Sequence, residues 1–236
     1  MNFPLKIAKR YLFAKKSTNA INIISGISVF GITIGTAALV IVLSVFNGFE
    51  DLLTQLFGNF NPDIKVTPIE GKVFEAGSST IAQIKKIDGV IAVSQTLEEI
   101  AFFEYTENQK TGIIKGVDDQ FVAVNEVDST IIEGDFLVKK NRIPYAVIGS
   151  VLAWQMNINI QNEFEQMAVF MAKKNPPKIG SPFKKLFVRP AGVYKIQQEF
   201  DSRYVLVALD FARSLLEYDK QEISALEIKI DPTVSD

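Results

Sequence analysis

Four acidic side chains stand in adjacent pairs, Glu98-Glu99 and Asp118-Asp119, and come nearest in this chain to an acid–base constellation. Neighbours on a strand point to opposite faces, so Glu98-Glu99 makes a poor catalytic dyad, and both pairs read as solvated surface. Histidine is absent, which removes imidazole acid–base catalysis and His-ligated metal sites. Cysteine is absent too, which removes disulfides, thiolate nucleophiles and Cys-ligated zinc or iron–sulfur sites. No G-x-x-x-x-G-K-[ST] cradles a nucleotide, and no G-x-S-x-G presents a serine. Composition leaves Ser–Lys catalysis open, but no spacing supports it, so the reading turns to binding.

The residues best suited to binding lie in the stretch Lys173–Lys184, with three prolines, four lysines and no acid. Its centre is Asn175, Pro176, Pro177, Lys178, Ile179, Gly180, Ser181, Pro182 and Phe183. Proline presets an extended backbone and lowers the entropy cost of docking. Ile179 and Phe183 offer apolar anchors between cations. The plainer alternative is a solvated connection kept from aggregating by Pro and Lys.

A second set lies near the N-terminus. Phe46, Phe49, Leu52, Leu53, Leu56 and Phe57 recur at helical spacing, with Glu50, Asp51 and Gln55 on the other side. That face suits an apolar ligand or a second subunit, or else packing against the chain's own domain. Gly31 and Gly35 form a G-x-x-x-G flanked by Ser28 and Ala38, a spacing that lets helices approach closely in lipid.

The elements that must carry these residues can be read from charge and hydropathy. From Ser17 to Phe49 there is no charged residue. The apolar centre Ala20–Phe46 would span roughly 40 Å as a helix, enough to cross a bilayer core of about 30 Å. No small-residue cleavage pattern comes after it, so it reads as a retained anchor. Lys6, Lys9, Arg10, Lys15 and Lys16 precede it, and the rest of the chain holds 20 basic and 27 acidic side chains. The positive-inside rule then places the N-terminus in the cytoplasm and residues after about 47 outside it. Residues 3–16 could also lie as a short interfacial helix.

Four segments result: a cytoplasmic basic segment 1–19, a transmembrane helix 20–48, an amphipathic helical extension 49–59 and an extracytoplasmic domain 60–236. The domain reads as α+β, in one or two lobes. Strands are expected at Ile64–Thr67, Val90–Val93, Ile100–Tyr105, Thr111–Lys115, Phe164–Met171, Leu186–Tyr194, Tyr204–Leu209 and through Leu226–Ile230. Helices are expected after a Ser78 or Ser79 cap, over Ile148–Met156, and from an Asp210 cap through Leu216. Thr106–Lys110 reads as a hairpin loop. The 236 residues are ample for a core, and the basic residues beyond the N-terminus are too few to suggest nucleic-acid binding.

Three stretches together resemble a known family: Arg10-Tyr11-Leu12, then Ile24-Ser25-Gly26-Ile27-Ser28-Val29-Phe30-Gly31-Ile32, then Val42-Leu43-Ser44-Val45-Phe46-Asn47-Gly48-Phe49-Glu50. They resemble the start of the LolC/LolE lipoprotein-releasing permeases. Asp201-x-x-Tyr204-x-Leu206-Val207-x-Leu209-x-x-Ala212-x-x-Leu215 resembles the end of that family's periplasmic domain. The resemblance implies a MacB-like mixed α/β periplasmic domain inserted between the first two of four transmembrane helices in the bacterial inner membrane. It implies two permease subunits, alike or different, and a separate ABC ATPase that binds ATP, so no cofactor in this chain. The implied cargo is a lipoprotein passed to a periplasmic carrier, which a proline-containing loop hooks; Asn175–Phe183 falls where that loop would be. Three more helices would come after Asp236, making this chain a fragment. The family's Leu-x-x-Gly-Asp-like turn is replaced by Asn157-Ile158-Asn159-Ile160-Gln161-Asn162-Glu163. A MacB/FtsX-like permease with other cargo or a mechanical role, and a single-span periplasmic scaffold or sensor, are the alternatives.

Overall fold

The computed structural model describes residues 3–4, 6–7, 10, 19–58, 62–162, 164–174, 177, 180–231 and 233–234, with backbone alone for 19–22 and 51–58. The chain divides into two compact units, Met1–Thr54 and Gln55–Asp236.

Helix α1 runs from Asn19 to Gly58 without a break. Its stretch Ile23–Glu50 has mean hydropathy 2.5 over the 18-residue window, with none of that window buried. A helix apolar on all sides needs cover from lipid or from other protein, and its length suffices to cross a bilayer core. Three hydroxyls inside it are returned to the helix's own carbonyls: Ser28 donates to Ile24 (2.9 Å), Thr33 to Val29 (2.8 Å) and Thr36 to Ile32 (2.8 Å). Phe3, Lys6, Ile7 and Arg10 are helical and exposed. Lys9, Lys15, Lys16 and Asn59–Asn61 lie outside the described residues.

The second unit is built on a closed circuit of strands. β1 is Ile64–Val66, β2 Phe74–Glu75, β3 Val90–Tyr105, β4 Asn108–Val117, β5 Ile131–Gly134 and β6 Lys139–Lys140. β7 is Ile143–Gly149, β8 Met167–Ala172, β9 Phe183–Tyr194, β10 Tyr204–Ala208, β11 Glu222–Ile223 and β12 Ala225–Ile230. The pairings run β3–β4–β10–β7–β9–β8 and back to β3, with β4–β10 and β7–β9 parallel and the others antiparallel. Closure removes the free edges that an open sheet would leave. β12 and then β1 extend the sheet beyond β3, and β5 lies outside β9.

One face of all six circuit strands forms the main core, with Phe103, Ile114, Ile148, Val169, Val188 and Val207 among its members. Helices α4 (Ser150–Met156) and α6 (Leu209–Leu216) close it with Leu152, Met156, Ala212 and Leu215. α6 lies so near β4 that a Cβ on Gly116 would stand 2.4 Å from that of Ala212. Helices α2 (Ser78–Ile84), α3 (Phe121–Asn125) and α5 (Gln198–Asp201) cover other parts of the sheet.

Several expected boundaries move. Val90–Val93 and Ile100–Tyr105 are one 16-residue strand. Its polar middle does not break it, because Thr96 and Glu98 face a buried lysine. Lys115 Nζ lies 2.6 Å from Glu227 and 2.9 Å from Glu98, with its side chain 2% exposed. Glu227 also accepts from Asn125 (2.7 Å) and Thr96 (3.2 Å), and Lys65 reaches Glu98 at 3.1 Å. Glu98 is therefore no solvated surface acid. Its partner in sequence, Glu99, points away to Lys72 at 2.7 Å. Asp118 is engaged as well, accepting from Ser94 Oγ (2.7 Å) and the Gln95 amide (3.0 Å).

The remaining shifts are local. Ile148 belongs to β7, and the helix expected at Ile148–Met156 starts only at Ser150. The strand expected from Phe164 begins at Met167, leaving Phe164 in a turn. Tyr204–Leu209 ends one residue sooner, as Leu209 opens α6. Neither expected cap is used: Gly77 and Ala208 precede α2 and α6, and Asp210 instead pairs with Lys139 at 3.3 Å. The β3–β4 turn is only Thr106-Glu107, with Thr106 at φ 51°. Where the family's glycine turn is missing, Asn157 takes the left-handed position after α4 (φ 54°), which asparagine tolerates.

Burial pushes the Glu98 carboxyl up, but the Lys115 and Lys65 charges outweigh it and hold the carboxyl below its ordinary value. A carboxylate lowered by folding stabilises the native state above its unfolded pKa, about 4.3, and that contribution is lost as pH falls through the folded value. Denaturant titrations should therefore show stability declining progressively below about pH 4.3, and less so in Glu98→Gln. Lys115→Met strands two carboxylates and should cost about 3–5 kcal/mol, whereas Lys115→Met with Glu227→Leu should recover most of it, by the same measurement.

Candidate functional site

The sequence stretch singled out for binding is the tip of a hairpin. β8 reads Met-Ala-Val-Phe-Met-Ala and β9 opens Phe-Lys-Lys-Leu-Phe-Val, in which burial alternates so that Lys184, Leu186 and Val188 share the inner side. They pair from Met167 with Val188 to Ala172 with Phe183, and the Lys173 amide extends the ladder to the Pro182 carbonyl at 2.9 Å. The connection is thus shorter than Lys173–Lys184. Phe183 and Lys184 belong to β9, paired with Ala172 and Met171. At the tip Gly180 adopts φ 122°, open to glycine alone among ordinary residues, and Ser181 Oγ bonds the Phe183 backbone at 3.2 Å. Pro177, Gly180, Ser181 and Pro182 are exposed or nearly so. Asn175, Pro176, Lys178 and Ile179 lie outside the described residues.

The root of the hairpin is fastened to the end of α6. Lys184 Nζ donates to the Ser214 carbonyl and stands 3.6 Å from Glu217. A cation there also meets the negative end of the helix dipole. Lys174 Nζ sits 3.8 Å above the Tyr218 ring. Burial and the Glu99 charge push the Tyr218 phenol above its ordinary value. Two of the four lysines expected to attract a partner thus hold the hairpin in place.

Lys184 and Leu186 point to α6 and the core, so Phe183, Lys185 and Phe187 face outward. They join Phe170 of β8 and Ile100, Phe102 and Glu104 of β3. Phe102 and Phe170 meet edge to face at 5.8 Å. Lys185 lies 4.6 Å from the Phe170 ring centre, 5.1 Å from that of Phe187 and 3.3 Å from Glu104. Phe183 and Phe187 are each about half exposed, 51% and 50%. Sequence reasoning missed this strip. Its signal is the alternation in Ile100-Ala101-Phe102-Phe103 and Phe183–Val188, where either face could have been the inner one.

The other expected binding residues lie in the helical unit. Gly31 and Gly35 would meet nothing within 4 Å if given a Cβ, so that face is open among the described residues. Phe46 and Phe49 are exposed at 64% and 58%. Leu52, Leu53, Leu56 and Phe57 continue along the same helix, with backbone alone described. Among the described residues, no group of three or more acids is placed to hold a metal ion.

Over residues 25–236 the chain matches the MacB-like periplasmic core domain. It is 26% identical over 231 residues to the lipoprotein-releasing system transmembrane protein LolC of Buchnera aphidicola subsp. Schizaphis graminum, covering 97% of this chain and 56% of that one. To the corresponding LolE protein of Haemophilus influenzae it is 23% identical over 246 residues, covering 100% of this chain and 56% of the relative. The chain thus spans little more than half the length of these relatives. Among solved structures it is similar to the periplasmic region of MacB from Actinobacillus actinomycetemcomitans, with TM-score 0.48 and 12% identity over 78% of this chain and 80% of that one. With a match that takes in the whole strand circuit and most of the apolar helix, the chain belongs to the MacB-like periplasmic core domain family.

Proposed function

We propose that this chain is the membrane-anchored, carrier-docking portion of an ABC transporter permease that releases lipoproteins from the bacterial inner membrane. The N-terminus lies in the cytoplasm and the strand circuit in the periplasm. ATP is bound by a separate ATPase, and a second permease subunit completes the transporter. The cargo is a lipoprotein, handed to a soluble periplasmic carrier. Relatives named as lipoprotein-releasing proteins support this reading. The observation that carries it is a proline-rich tip on a hairpin whose root is clamped by Lys174 on Tyr218 and Lys184 at the end of α6.

The division of labour is physical. Removing an acyl chain from lipid costs about 0.8 kcal/mol per CH₂, which calls for an external energy source and an apolar receiving surface. Phe46, Phe49 and the residues at helical spacing beyond them offer such a surface to acyl chains or to the second subunit. The hairpin supplies the hand-over. A proline-preset tip loses little entropy on docking, Phe183 and Ile179 act as anchors, and the clamped root fixes the direction of approach.

Deleting Pro176–Pro182 should weaken carrier binding at least tenfold in calorimetry with the full chain; unchanged affinity would reduce the loop to a connector. Lys174→Gln and Lys184→Gln should raise the dissociation rate more than they lower the association rate, since those charges orient the hairpin. The topology is checked by adding protease to spheroplasts, which should degrade the domain; protection would overturn the assignment.

A further inference from the structure

Below the hairpin, β9 changes partner. From Arg189 onward it pairs with β7, whereas up to Val188 it pairs with β8. The start of β7 and the start of β9 therefore diverge. β7 can offer no amide at Pro144, and its Tyr145 amide is bonded to the Val138 carbonyl at 3.0 Å rather than to β9. The gap is a cleft of about 410 Å³, within the range of small-molecule sites. Leu186, Phe187, Phe211, Pro144 and Ala208 are its apolar lining, Leu186 from the core face of β9 and Phe187 from the outward face. Its mouth carries Lys139 and Arg142, with Asp210 the single acid among the lining residues.

The cationic rim is held out from the cleft by its own turn. Asn141 and Arg142 join β6 to β7 with φ of 50° and 67°. Two left-handed residues are what a tight hairpin with the strands' twist requires, and asparagine suits the first. Arginine at the second is unusual, because an L side chain is strained there and glycine is not. Lys139 contacts Asp210 at 3.3 Å, but both side chains are largely exposed (53% and 75%), so this pair is weak and easily exchanged for another anion.

An apolar lining with two cations and one acid carries a net positive charge and suits a chain with a single anionic head. The geometry points to this cleft as a binding site for a single-chain anionic amphiphile, the head on Lys139 and Arg142 and the chain over Leu186, Phe187 and Phe211. A free fatty acid and a lysophospholipid share that chemistry. Ser214 lines the same cleft, and its carbonyl receives Lys184 at the hairpin root. Occupancy of the cleft therefore bears on the joint between β9 and α6. The proposal stands whether or not the hairpin docks a carrier.

The test uses the full chain in phosphatidylcholine nanodiscs, a C12 carboxylate with a diazirine at the chain end, and mass spectrometry of the labelled peptides. Labels should fall on residues 186–187 and 211. Laurate or C12 lysophosphatidylglycerol should compete, the better competitor identifying the source, and uncharged monolaurin should compete at least tenfold less well. Arg142→Gly relieves the strained φ while removing the charge. Combined with Lys139→Gln it should cut labelling at least tenfold with an unchanged thermal melt. Phe187→Ser, at a half-exposed position, should do the same through the apolar lining. Labels confined to residues 19–58, competition by monolaurin equal to that by laurate, or labelling indifferent to Arg142→Gly with Lys139→Gln would each overturn the proposal.

Discussion

The buried ion pair between Lys115 and Glu227 is the constraint around which the domain is arranged. Lys115 is on β4, Glu227 on β12, Glu98 and Thr96 on β3, and Asn125 at the end of α3. Burial favours the uncharged lysine, but Glu227 and Glu98 outweigh it and raise its pKa. The group is therefore charged, and a charged lysine in the interior is tolerable only with every partner in position. That requirement fixes register. Sliding β12 by one residue would turn Glu227 toward Leu226's apolar cluster with Val93 and Ile223 and take from Lys115 its nearest carboxylate.

Once β12, β3 and β4 are in register, the length of β3 decides how the circuit closes. Its first half is flanked by β12 and the residues near its far end by β8, so one strand serves both the extension and the closed circuit. β9 does the same on the far side, passing from β8 to β7. The hairpin is what remains when two strands continue past the circuit. It is stiff at its root because α6 ends beside it and offers a carbonyl, Glu217 and the Tyr218 ring to two lysines. The cleft lies where β9 leaves β7. Tip, aromatic strip and cleft are three consequences of one exchange of strand partners.

The same arrangement accounts for the paired acids. The acids that could have formed a reactive pair are consumed in structure: Glu98 by Lys115 and Lys65, Glu99 by Lys72, and Asp118 by Ser94 and Gln95. Among the described residues, β3, β8 and β9 expose an aromatic strip with Lys185 and Glu104, and the helix of the other unit exposes apolar side chains.

The amino-acid sequence by itself determined the features that depend on neighbours a few residues apart. The uncharged run Ser17–Phe49, the cations before it, the helical spacing from Phe46 to Phe57, the proline-rich stretch and the family resemblance are all local patterns. The positions of β4, β10, α6 and β12 were legible for the same reason, since periodicity and apolar runs specify them. Tertiary structure alone decided the rest. Glu98 looked like surface because its partner Lys115 is a strand away and Glu227 is 112 residues from Lys115 in the chain. Phe183 looked like part of a loop because its pairing with Ala172 depends on the β8–β9 register. Which face of β9 would show its aromatics, and that the strands would close rather than end, depended on pairings between β3, β8 and β7 that leave no mark at short range. Local patterns fix which segments are helix, strand or turn; burial, charge partnership and exposure are set by what the chain brings back from a distance.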